Sequence, residues 1–252
     1  MGYGKVYLVG AGPGDPKLLT LKALEVLQNA EVVMYDRLIS EGVLRLIPEK
    51  AEKIYVGKVP GKHALTQDEI NELIIGEAVK GKTVVRLKNG DPFIFGRGGE
   101  EAEALISKNI EFEVVPGVSS AFAAPAYAGI PLTHRQYSSS VAIVTGSQAL
   151  DAQKKINWGK LAGAVDTIVV LMGLEHLREI IGHLIDGGLN PDIPTAIIER
   201  GTTEYQRTLI GCLSTITDIA EKAAFKPPSI IVIGEVANLG RRLSWFKKPI
   251  IL

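Results

Sequence analysis

The segment that most limits what this chain can fold into is the run NGDPFIFGRGGEE at residues 89–101. It follows a β-rich stretch, TVVRL at 83–87, and precedes a helix-like stretch at 100–107. A strand therefore ends, a loop with four glycines intervenes, and a helix begins. Glycines let such a loop take positive φ and bring its backbone close to a ligand. In an α/β sheet, loops leaving the carboxyl ends of strands form the binding crevice. Phe93 and Phe95 are unusual in a solvent loop and suggest a packed lid or a ligand wall. The plainer alternative is an ordinary surface connection, although long loops in compact domains are more often functional.

The same grammar recurs along the chain. Residues 6–9 (VYLV) read as a buried strand, followed by the loop GAGPGD and an apolar-periodic helix over 16–29. Asp15 suits its N-cap and Pro16 its first turn. A strand over 31–35 then delivers Asp36 at its end. Further elements are predicted as a helix at 40–47, a strand at 53–56 and a helix from 66 to 80, where Thr66 and Glu69 form a capping box. A strand at 111–115 and an Ala-rich helix after Ser119-Ser120 complete this half.

Beyond the polar stretch 136–140, α/β alternation restarts. Strands are predicted at 141–145, 167–171, 195–199, 205–210 and 229–233, with helices at 158–161, 175–186 and 214–223. The glycine patterns do not recur, so this is no sequence repeat. The expectation is an α/β protein of two successive domains with the active-site cleft between them. The first, 1–135, carries the glycine-rich loops; 136–140 is a linker; 141–252 is the second.

Two enzyme patterns are approached and missed. A dinucleotide-binding G-x-G-x-x-G needs glycine where Asp15 stands, although Asp36 falls near the position of a ribose-binding acid. A nucleophile elbow needs glycine where Ala121 stands, and no downstream His has a distinctive context. Ser119 and Ser120 fit better as a helix start presenting hydroxyls and N–H groups to a ligand.

Composition narrows the partners. Lys+Arg and Asp+Glu both total 28, so an anionic partner must meet a local basic patch. The basic residues do not interleave with aromatics as nucleic-acid binding would need. Cys212 is the only cysteine, and the four histidines show no ligand spacing, so no metal site is expected. No apolar run reaches membrane-spanning length and the start lacks a signal-peptide pattern. A cytoplasmic protein with no nucleic-acid or membrane partner is expected.

Segments spread over nearly the whole chain carry a resemblance. They are VGAGPGDPKLLT (9–20), YDRL (35–38), VGK (56–58), RLKNGDPFIFGRGGEE (86–101), VPGVSSA (115–121), GIPLTHR (129–135), LMG (171–173) and ERGTT (199–203). Together they resemble the tetrapyrrole methylase family, the class III S-adenosylmethionine-dependent methyltransferases. YDRL, GDPFIFGRG and PLTHR favour the member that methylates uroporphyrinogen III over its sisters.

The resemblance implies transfer of two methyl groups from S-adenosyl-L-methionine to carbons 2 and 7 of uroporphyrinogen III. The product is precorrin-2, via precorrin-1, in sirohaem or cobalamin biosynthesis, with S-adenosyl-L-homocysteine released and no metal needed. It also implies a homodimer, with the cofactor folded between the domains. By position-matching, Pro13, Asn89, Gly90, Asp91, Ile94, Ser119, Ser120, Met172 and Gly201 contact the cofactor, Asp36 is the general base and Lys58 the proton donor. The substrate's acetate and propionate arms call for cations, for which Arg37, Arg97, His134 and Arg135 are the candidates. The chain departs from the family at Asn89, where glycine is usual, and at Ser147, where histidine is frequent. The competing readings are a sister methyltransferase acting on a later intermediate, a nicotinamide oxidoreductase, and a tetrapyrrole-binding protein without catalysis.

Overall fold

The computed structural model describes residues 2–57, 65–147 and 156–246, together with the strand backbone at Ile250–Ile251. The chain divides into two compact units, Met1–Ser119 and Ser120–Leu252. That division falls ahead of the expected domain end at residue 135. The reason is the Ala-rich helix α5 (Ser120–Tyr127), whose Ala121 and Ala124 are buried in the apolar cluster of the second unit. The expected linker is also packed structure. Ser138 is buried and its hydroxyl reaches Leu132 O and Thr167 Oγ1, while Asp166 accepts hydrogen bonds from Ser139 and Ser140.

The first unit is a five-stranded parallel sheet. In chain order it runs β1 (Val6–Gly10), α1 (Leu21–Gln28), β2 (Val32–Tyr35), α2 (Glu41–Leu44), β3 (Glu52–Tyr55), α3 (Gln67–Val79), β4 (Val84–Lys88), α4 (Gly98–Ser107) and β5 (Phe112–Val115). The strands lie in the order β3-β2-β4-β1-β5. Residues of α1 and α2 pack on one face with Val9, Val33, Val85 and Leu87. Residues of α3 and α4 pack on the other with Val6, Leu8, Met34 and Val84. Burial on both faces explains why these strands read as near-continuous apolar runs.

Local chemistry sets the helix ends. The helix expected over 16–29 is a 3₁₀ turn (Pro16–Leu18) followed by α1, because Asp15 caps the first and Thr20 caps the second through Ala23 N. The capping box at α3 forms with both of its hydrogen bonds, as the sequence predicts.

The second unit holds a mixed six-stranded sheet in the order β11-β9-β8-β10-β7-β6. After α5 come β6 (Val141–Thr145), α6 (Trp158–Leu161), β7 (Thr167–Leu171), α7 (Leu177–Asp186), β8 (Pro194–Glu199), β9 (Arg207–Cys212), α8 (Ile216–Lys222), β10 (Ser229–Ile233), α9 (Gly240–Leu243) and β11 (Ile250–Ile251). Residues of α7 and α8 pack on one face of this sheet and residues of α5 on the other. The strand expected from residue 205 begins at Arg207, because Tyr205 and Gln206 are tied into a turn by Thr203.

Candidate functional site

In the first unit, β1 and β4 are neighbours whose onward connections diverge: β1 leads through α1 to β2, and β4 leads through α4 to β5 on the other side. That divergence is a topological switch point, where ligands bind outside the carboxyl ends of parallel strands. Both glycine loops leave the sheet there. They are joined directly: Gly90 N donates to Gly12 O at 2.8 Å and Gly12 N to Gly90 O at 3.2 Å. The loop after β5 closes on them, and a Cβ on Gly117 would lie 2.2 Å from Gly90 O. No side chain fits between these backbones, so the floor of the crevice is main chain.

Asp91 ties the same loops. Its Oδ1 accepts from Phe93 N at 2.8 Å and its Oδ2 from Gly117 N at 3.0 Å. The carboxylate thus holds the loop after β4 to the loop after β5. Further along, Phe95 (φ 51°) and Arg97 (φ 60°) take left-handed backbone, a strained state for residues with side chains. Asn89 does not share it; the left-handed turn falls on Gly90 (φ 68°). The departure from glycine at 89 therefore needs no special tolerance. Pro13, Asn89, Gly90, Asp91, Ile94 and Ser119 all belong to the three loops at this edge.

Asp36 stands at the carboxyl end of β2, next to β4 in the sheet. Its two oxygens accept from Arg86 Nη2 at 3.0 and 2.8 Å. Arg37 beside it is exposed. The Arg97 guanidinium is exposed and donates through Nε to Glu100 at 3.1 Å, one turn into α4. Lys58 lies outside the described residues.

In the second unit, β7 and β8 both run antiparallel to β10, so they share a direction and their carboxyl ends lie at one edge. Met172 follows β7 there with φ 52° and a half-exposed side chain, and Gly201 follows β8. A Cβ on Gly201 would sit 2.4 Å from the Cβ of Ala124 in α5, the helix that Ser120 starts. Ser147 lies at this edge too, beside Gly146, whose N–H donates to Leu171 O at 2.7 Å. His134 and Arg135 are not brought to it. His134 pairs with Ser138, which is fastened to Thr167 at the amino end of β7. The length of that strand, about 3.3 Å per residue, separates the two positions.

Residues 5–217 match the family model for tetrapyrrole (corrin/porphyrin) methylases. The chain belongs to this family. An S-adenosyl-L-methionine-dependent uroporphyrinogen III methyltransferase of Methanosarcina barkeri is 52% identical over 94% of this chain and 93% of that protein. A siroheme synthase of Nitrosomonas europaea is 50% identical over 96% of this chain, which spans 51% of that longer protein. A solved structure of the uroporphyrin-III C-methyltransferase of Thermus thermophilus with S-adenosylhomocysteine is 42% identical, with a TM-score of 0.81 over 94% of this chain and 100% of that one.

Sequence reasoning passed over three charged residues of this tetrapyrrole methylase. Arg86 and Lys88 are buried on β4, and both donate to Glu101 of α4, at 3.0 and 2.8 Å. Burial in apolar surroundings pushes the Lys88 ammonium below its usual range, the Arg86 charge adds to that, and Glu101 opposes it. The signal was available. Two cations at alternate positions of an otherwise apolar central strand share one face and need a buried partner.

Proposed function

We propose that this chain transfers methyl groups from S-adenosyl-L-methionine to carbons 2 and 7 of uroporphyrinogen III, giving precorrin-2. The observation that carries this reading is the joining of both glycine loops at the switch point of the first sheet, next to a carboxylate fixed at the end of β2. A side-chain-free floor suits a ligand held through main-chain groups. Ile94 and Met172, exposed apolar side chains, suit its adenine ring and the methylenes of its methionine part. Pro13, Asn89, Gly90, Asp91, Ile94 and Ser119 of the first unit and Ser120, Met172 and Gly201 of the second would hold the cofactor. When bound, it supplies a sulfonium methyl already activated for attack by a pyrrole carbon.

The protein's part is then alignment and charge. Asp36 steadies the positive charge that develops on the macrocycle and accepts the displaced proton at its carboxylate. Lys58 is the proton donor implied by the family. Arg37 and Arg97 hold acetate and propionate arms. We extend the substrate-binding set to His134 and Arg135, which stand at the amino edge of the second sheet. We further infer a cytoplasmic homodimer serving sirohaem or cobalamin formation. Among the described residues no helix is long and apolar enough to cross a membrane.

Anaerobic incubation with uroporphyrinogen III and S-adenosylmethionine, followed by mass spectrometry, tests the reading. A product heavier by two CH2 units is expected, each methyl having replaced a proton, with no loss of activity in a chelator. A protein that turns over only an already methylated tetrapyrrole would be a sister enzyme instead.

A further inference from the structure

β4 is the central strand of the first unit, covered by helices on both faces. Alternation along a strand places Arg86 and Lys88 on the same side as Val84, the side occupied by α3 and α4. The Arg86 side chain is only 3% exposed, yet each of its nitrogens has an acceptor. Nε donates to Glu101 Oε1 at 3.0 Å, Nη1 to Leu87 O at 3.3 Å, and Nη2 to both Asp36 oxygens. Glu101 Oε1 also accepts from Lys88 Nζ at 2.8 Å and Gln67 Nε2 at 3.3 Å, while its buried Oε2 has no partner among the described residues.

Stability does not account for such a cluster. Well-packed apolar side chains in place of a buried ion network are often neutral or stabilising. The four charges also differ in access: the Arg86, Lys88 and Glu101 side chains are at most 4% exposed, whereas that of Asp36 is 33% exposed. The network reaches the surface through Asp36. Glu101 and the Leu87 carbonyl anchor the guanidinium from two directions, and it in turn holds the Asp36 carboxylate. Arginine keeps its charge at any working pH, so it cannot exchange the proton itself. Each Asp36 oxygen retains a second lone pair for another partner.

We infer that Arg86, anchored by Glu101, is the positioning residue for the Asp36 carboxylate. The inference rests on the assignment of Asp36 as proton acceptor. Through Glu101 it also links Asp36 to the first turn of α4, the helix that follows the NGDPFIFGRGG loop. Cofactor contacts and proton acceptor would thus share one rigid support.

A double-mutant cycle tests it. Turnover of uroporphyrinogen III and affinity for S-adenosylhomocysteine are measured for Arg86→Gln in the wild-type and Asp36→Asn backgrounds. Arg86→Gln is expected to lower kcat by about tenfold or more in the wild-type background, with S-adenosylhomocysteine affinity within about twofold. In the Asp36→Asn background its further effect is expected to fall below about twofold. Arg86→Lys keeps the charge and loses the multi-pronged fork, so it should restore the melting temperature more fully than kcat. It also provides the cycle if Arg86→Gln does not fold. Equal fold-losses in both backgrounds, or a loss confined to cofactor affinity, would overturn the inference while leaving Asp36 its role. If Asp36→Asn alone keeps wild-type kcat, the Asp36 assignment fails first and the inference falls with it.

Discussion

Glu101 is the residue on which the interior of the first unit depends most. It sits on α4 with no exposed side-chain surface and is the counter-ion for both buried cations of β4. Removing one member of a buried ion network leaves the others desolvated and unpaired, at roughly 3–5 kcal/mol. Urea unfolding of Glu101→Ala is therefore expected to show a loss of that order, far beyond what an exposed acid such as Glu103 would give. Asp36→Asn acts differently, since the amide keeps an acceptor for Arg86. Turnover is expected to fall by about 10²–10⁴ with S-adenosylhomocysteine affinity nearly intact. Unchanged turnover would make Asp36 a counter-ion of Arg86 and nothing more. Asp36 was legible in the sequence because it follows a strand directly and matches a family motif. Of Arg86, Lys88 and Glu101, only the two strand cations carried a signal; their partner lies 13 or more positions away on a helix. A local pattern shows two charges in a strand but not the carboxylate that meets them.

At the scale of elements, the three loops at the carboxyl edge of the first sheet behave as one object. Asp91→Ala removes the hydrogen bonds to Phe93 N and Gly117 N that tie the loop after β4 to the loop after β5. Hydrogen bonds to a charged group contribute about 1.5–3 kcal/mol each, so calorimetry should show S-adenosylhomocysteine binding weakened by at least about tenfold. Asn89→Gly should leave that affinity unchanged, because position 89 lies outside the left-handed region and glycine relieves no strain there. The opposite ranking would place the ligand against Asn89 and not on the loop that Asp91 organises. The loops were visible beforehand through glycine density, which reports where backbones approach closely. The agent joining them was not: Gly117 and Asp91 are far apart in sequence, and Asp91 alone reads as a ligand acceptor. Helix ends followed local chemistry more faithfully. Thr66 and Glu69 form the capping box their spacing implies, while Thr20 starts a new helix inside what apolar periodicity presents as one.

For the whole molecule, charge and partition matter. The chain carries 28 basic and 28 acidic residues, so net charge offers no attraction for an anionic macrocycle. Attraction must come from exposed local cations such as Arg37 and Arg97, whose fields are screened over about 10 Å at 0.1 M salt. KM for uroporphyrinogen III is expected to rise with ionic strength while affinity for the nearly charge-balanced cofactor stays level. Arg97→Ala should raise that KM and flatten its salt dependence. Loss of cofactor affinity with an unaltered salt response would instead make Arg97 a clamp on α4, consistent with its contact to Glu100. The two-unit α/β organisation was legible because each half alternates strands and helices. The division near residue 119 was not, since the polar run 136–140 mimics a linker while its serines are held by Asp166 and Thr167. The positions of the transferred methyl groups decide the assignment. Uroporphyrinogen III treated anaerobically with the protein and methyl-¹³C S-adenosylmethionine should yield a tetrapyrrole with two enriched methyl groups, on carbons 2 and 7, by carbon NMR. Label on nitrogen or oxygen, on other ring carbons, or no enrichment would contradict it.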